Sequence, residues 1–142
     1  MNSPILAPVV ALILWTLVMM LWMVFTRLPA MRAAGISFKG MVGGRGSDLD
    51  KIVPAPVQWK AHNYNHLMEQ PTLFYAVCLS LAVAGLGDGL NATLAWWYVG
   101  LRVIHSLVQA TVNIVRFRFM VFAAASLVLL ILAVRAGLDL LL

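Results

Sequence analysis

Apolar positions along this chain fall in long runs rather than in short amphipathic stripes, and the runs are long enough to cross a bilayer. The first, Pro4–Phe25, covers 22 residues, and a helix needs roughly 20 to span about 30 Å of hydrocarbon. A second stretch, 56–84, is polar in its first half and apolar from Thr72 to Ala84. A third runs from Leu94 to Val115 and a fourth from about Arg118 to Val134. The pattern predicts an all-α integral membrane four-helix bundle, with helices at about 4–26, 56–84, 94–115 and 118–135. The whole chain, 1–142, reads as one domain. Its one long polar connection, 27–55, holds the cluster Gly43-Gly44-Arg45-Gly46-Ser47. No Lys-Ser/Thr follows that cluster and no strand precedes it, so it reads as a flexible connector rather than a phosphate loop. The N-terminus lacks a basic leader, so the first helix reads as retained rather than cleaved.

Composition agrees with this reading. The chain is 63% hydrophobic and 11% charged, where a soluble domain carries about a quarter charged residues. The net charge of +5 does not imply nucleic acid, because the basic residues are not interleaved with aromatics on a soluble face. It marks orientation instead. Arg27, Arg32, Lys39, Arg45, Lys51 and Lys60 lie in or beside the first connection, Arg116 and Arg118 lie at the third, and Gly85–Thr93 has no basic residue. Connections one and three are therefore expected on the cytoplasmic side, with both termini outside. The single cysteine, Cys78, lies in an apolar stretch and reads as packed. No internal repeat is visible, which argues against a transporter.

Candidate chemistry concentrates on the third helix. Arg102, His105, Gln109, Asn113 and Arg116 recur at i, i+3, i+7, i+11 and i+14, which places them on one face of a continuous helix. Charged and polar groups at membrane depth are costly unless paired or hydrated, so the stripe predicts a cavity. On the second helix His62, Asn65, His66 and Glu69 share a face, and Pro71 predicts a kink or local gap. Counted from the cytoplasmic ends at 1.5 Å per residue, Glu69 lies about 18 Å deep and Arg102 about 21 Å deep. Glu69 is therefore expected to pair with Arg102 or His105, within a subunit or across an interface.

Guanidinium forks in such a recess favour an anionic polar ligand. Asn65, Gln109 and Asn113 could read amides, and Glu69 an ammonium group. Arginines would also stabilise a ligand thiolate, while lipid on the outer wall would admit an apolar second substrate. His62, His66 and Glu69 have a spacing that metals use, but three histidines in the chain are too few for a membrane di-iron site, so no metal is assigned. A non-catalytic protein holding lipid headgroups in the same recess is the alternative to an enzyme.

The string Lys60-Ala61-His62-x-x-Asn65-x-x-x-Glu69-x-Pro71, followed by Leu101-Arg102-Val103-Ile104-His105-Ser106 and Arg116-x-Arg118, resembles the MAPEG family. These are the membrane-associated proteins of eicosanoid and glutathione metabolism, and the likeness is greatest to their bacterial branch. The resemblance implies a homotrimer in a bacterial inner membrane, binding glutathione as co-substrate between neighbouring subunits and conjugating it to lipophilic electrophiles or reducing lipid peroxides. It further implies that Arg118 is catalytic, stabilising the glutathione thiolate. His62, Asn65, Glu69, Arg102, His105, Gln109, Asn113 and Arg116 are then the expected glutathione-binding set. Phe119 and Phe122 stand where the family's prostaglandin synthase carries hydroxyl side chains.

Overall fold

The computed structural model describes residues 3–142. It contains helices α1 (Leu6–Ala33), α2 (Ala55–Leu67), α3 (Pro71–Val83), α4 (Gly89–Ala110) and α5 (Val115–Leu141), with a 3-10 turn at Gly46–Lys51 in the long connection. α2 and α3 are successive halves of one rod, so the chain forms four long helical rods. The rod breaks at Met68–Gln70 because Pro71 has no N–H to donate and crowds the preceding turn. Pro71 instead starts α3, where a missing donor costs nothing.

Two ends differ from the pattern-based expectation, and in both a residue with positive φ sets the boundary. α1 does not stop at Phe25 but continues through Pro29 to Ala33. It ends where Gly35 takes φ 74° and the Ile36 N–H reaches back to the Met31 carbonyl at 2.9 Å, closing a Schellman-type cap. α4 ends at Ala110 rather than at Val115. Asn113 takes φ 50° there, and its N–H bonds the Val108 carbonyl at 2.7 Å. Asparagine tolerates this left-handed conformation better than most residues, so a helix that apolarity alone would extend stops three residues short of it.

α4 packs against α1, α2 and α5, and α5 also meets α3. Along α4, Ala92, Ala95, Tyr98, Val99, Arg102, His105, Ser106 and Gln109 are buried, a helical spacing that turns one face inward. Ala92 and Ala95 let neighbouring backbones approach closely, as membrane helix contacts favour. The core holds Ile5, Leu12, Met19, Phe74, Cys78, Leu81 and Leu132, and Phe74 stacks on Tyr98 at 4.5 Å. Leu14, Val18, Leu130 and Val134 on α1 and α5 are exposed, as lipid-facing positions are. Both helices are long and apolar enough to span a membrane.

Polar side chains secure the break. Gln70 donates to the Ser126 hydroxyl of α5 at 2.9 Å and accepts from the Tyr98 hydroxyl of α4 at 3.2 Å. At the far end of the bundle Arg135 donates to Asn91 at 2.9 Å.

Candidate functional site

The α4 stripe is buried from Arg102 to Gln109 and then dissolves. Arg102 is fully buried, and His105 and Gln109 are buried with it. Asn113 lies in the α4–α5 turn, and Arg116 is exposed in the first turn of α5 without joining the inward face. The expectation of one continuous stripe is corrected at this point, because the turn redirects the chain after Ala110.

Arg102 finds its partner on α2, but the partner is not Glu69. Its Nη2 donates to His66 Nδ1 at 3.0 Å and to the His66 carbonyl at 3.3 Å. A guanidinium has only donors, so Nδ1 must accept, and the His66 proton sits on Nε2. The two charges match in depth but not in direction. α2 ends at Leu67, Glu69 falls in the break, and its side chain is exposed. Among the described residues Glu69 forms no ion pair with Arg102 or His105. The polar face of α2 is likewise split: His66 turns inward, whereas His62 and Asn65 are exposed.

His66 stacks on His105, with ring centroids 4.7 Å apart and planes 22° apart. Phe122 of α5 lies against both imidazoles, at 5.5 and 6.1 Å. Together with Val115, Arg118 and Phe119 these rings line a recess of about 200 Å³. Arg118 stands at the first turn of α5 and donates to the Asn113 side-chain oxygen. The left-handed turn thus performs two tasks, ending α4 and aiming the Arg118 guanidinium. One fixed cation, two imidazoles and an aromatic wall suit a small anionic group presented from a partly apolar ligand.

A second buried polar contact lies about one turn further along α4. Asn63 of α2 is fully buried and donates to the Ser106 hydroxyl at 2.7 Å. His62 belongs to a different cluster, 2.9 Å from the Asp50 carboxylate, which also accepts from Gln58 at 2.7 Å. These two hydrogen bonds, His62 first, hold the Asp50 carboxyl below its ordinary range. The pair ties the 3-10 turn to α2 instead of lining the recess.

Of the expected residues, then, the fold places His105 and Arg118 in the recess, with Arg102 behind them bonded to His66, Asn113 as the support of Arg118 and Gln109 buried on the same α4 face. It leaves His62, Asn65, Glu69 and Arg116 outside the recess of a single chain. The expected binding set omits His66, Asn63 and Phe122. A signal for His66 is present in the sequence: it lies about one turn before Glu69, on the same predicted face and at nearly the same depth.

A helical membrane protein with a buried Arg-His cluster opening beside an apolar helix is the class that the fold and site define. The family model for MAPEG matches residues 5–138, and the chain belongs to the MAPEG family. No curated protein and no solved structure matches it. The family includes glutathione transferases and peroxidases.

Proposed function

We propose that the protein is a membrane-embedded, glutathione-dependent transferase or peroxidase acting on lipophilic electrophiles. The convergence of Arg118, His66 and His105 on one recess carries this reading. Arg118, braced by Asn113, faces where a thiolate would lie, and a nearby cation favours the ionised sulfur. Phe119 and Phe122 form the opposite wall, through which a lipid-soluble partner would approach from the bilayer.

The recess of about 200 Å³ is smaller than the roughly 300–1,000 Å³ of complete ligand sites. It therefore fits the thiol end of glutathione, with the rest of the tripeptide held by a neighbouring copy. Exposed Asn65 and Glu69 support this. They lie at membrane depth, where unpartnered polar groups are costly, and a homotrimer would bury them while giving Glu69 the ligand's ammonium group. In this assembly Arg102 and Gln109 position the α2–α4 seam, and Arg116 meets the ligand or lipid phosphate from the cytoplasmic side. The basic first and third connections favour that orientation, and a bacterial inner membrane suits it.

The test compares wild type with Arg118→Ala in detergent, using glutathione and chlorodinitrobenzene. Wild type should turn over and show a glutathione-dependent rise in thermal stability, whereas the variant should lose thiolate absorbance and most turnover. A wild type with neither activity nor thermal response to glutathione would sink the proposal.

A further inference from the structure

His66 and His105 enter the recess side by side, yet the structure fixes the proton of only one of them. Arg102 Nη2 stands 3.0 Å from His66 Nδ1 and also donates to the His66 carbonyl. A guanidinium offers donors only, so Nδ1 is held as the acceptor and Nε2 carries the proton. The tautomer of a histidine is set by the bond its other ring nitrogen makes, and here that bond comes from a side chain with no accessible surface. His105 has no comparable tie, since its buried Nδ1 lacks a partner among the described residues.

The direction of the fixed N–H follows from the ring. With Nδ1 turned to Arg102, Nε2 points away from it. Nε2 has no partner among the described residues and is not one of the sealed polar atoms, so it opens into the recess that the ring lines. Contact with His105 at 4.7 Å and with Phe122 at 5.5 Å holds the imidazole in this attitude.

The recess thus offers two donors of different kinds. Arg118, braced by Asn113, is a cation and suits a thiolate that is charged before reaction begins. The His66 N–H is neutral and suits an atom that gains charge only as reaction proceeds. Val115, Phe119 and Phe122 complete the lining and leave little room for water to compete, which strengthens such a bond.

We infer that His66 is a second catalytic residue, donating from Nε2 to the carbonyl oxygen of an apolar α,β-unsaturated carbonyl compound, and that Arg102 is the positioning residue that holds the proton there. This role rests on the glutathione reading above and gives that site its electrophile class. The thiolate sulfur bonds to the β-carbon, the C=C electron pair moves to the carbonyl oxygen, and the enolate so formed accepts from Nε2. Water then protonates the α-carbon and restores the carbonyl, and the hydroxide released neutralises the proton that the thiol gave up on ionising. His66 keeps its own proton throughout. An alkyl halide makes no such demand, because its charge departs on the halide.

The experiment uses the full chain in phosphatidylcholine nanodiscs with glutathione and either trans-2-nonenal or 1-iodohexane, and reads the ratio of the two kcat/KM values. His66→Phe keeps a ring in the stack and lacks the donor, so the ratio should fall about 10- to 100-fold, the size of one hydrogen bond to a charged group. Should that variant fail to fold because Arg102 loses its acceptor, the double variant with Arg102→Met removes the stranded charge and carries the same expectation. Arg102→Met alone should lower the ratio in part. Nitrogen-15 NMR of histidine-labelled wild type needs no turnover: one imidazole, missing in His66→Gln, should show a bare Nδ1 and a protonated Nε2. In Arg102→Met it should become a mixture of tautomers. An unchanged ratio in the folded His66 variants overturns the inference and leaves the glutathione reading intact, as does a His66 protonated on Nδ1 in the wild type. Absence of turnover with both electrophiles sinks that reading and this inference together.

Discussion

Replacing His66 by alanine should expose how the protein tolerates a fully buried arginine. Arg102 has no accessible surface, and its hydrogen bonds run to His66 alone, at Nδ1 and at the carbonyl. The substitution removes the 3.0 Å bond and keeps the longer one. A hydrogen bond to a charged group contributes about 1.5–3 kcal/mol, and leaving a buried charge short of a partner raises the cost toward about 3–5 kcal/mol. The surviving carbonyl bond favours the lower figure, about 2–3 kcal/mol. For a domain of this size that is a fall in Tm of about 6–12 °C, using roughly 3–4 °C per kcal/mol. Removing the imidazole also deprives His105 and Phe122 of a ring to pack against, which adds to the loss. Arg102→Met, which removes the charge itself, should cost less, because no charge remains to be left unpaired. Thermal unfolding in detergent of His66→Ala, Arg102→Met and the double variant measures the coupling, expected at about 1.5 kcal/mol or more. His66→Gln, which keeps an acceptor, should recover part of the loss. Additive single variants, or glutamine as damaging as alanine, would refute the account.

Three further outcomes follow from separate parts of the fold. Asn113→Gly keeps the left-handed turn but removes the oxygen that holds Arg118; turnover should fall about tenfold or more with little loss of stability, while Asn113→Ala should also lower Tm. A Cβ at Gly87 would stand 2.0 Å from the Ser3 hydroxyl and 2.6 Å from an Ile5 methyl, so Gly87→Ala should destabilise by about 1–3 kcal/mol, read as a lower Tm. Asp50 has a lowered folded-state pKa, so its contribution is present above the unfolded value and is lost as pH falls through the folded one. Limited proteolysis within 43–53 should accelerate over that acidic range in wild type, and Asp50→Asn should be cut quickly at all pH values.

The apolar runs were legible because lipid imposes length and hydropathy together. The ends of α1 and α4 were not, since each depends on one positive-φ residue, Gly35 or Asn113, whose conformation hydropathy does not report. The α4 face from Arg102 to Gln109 was readable from spacing alone. Its partner was not: counting residues gives depth, but direction around α2 depends on where the Met68–Gln70 break falls. An opposite charge was therefore the natural guess for Arg102, and a neutral imidazole proved to be the acceptor. Helical phase assumed across a turn likewise placed Asn113 and Arg116 on a face that ends at Ala110.

The break has a mechanical consequence for the recess. Gln70 bolts the start of α3 to Tyr98 and Ser126, so the half of the rod beyond the break is fixed to both α4 and α5. His66 is carried by the other half, α2, just before the joint. α2 is itself tied to α4 through Asn63–Ser106 and His66–Arg102, so both sides of the joint are anchored to the same helix and the two imidazoles keep their stack. The stacked rings therefore sit in a frame fixed to α4 and α5, and a ligand entering the recess meets them already in place.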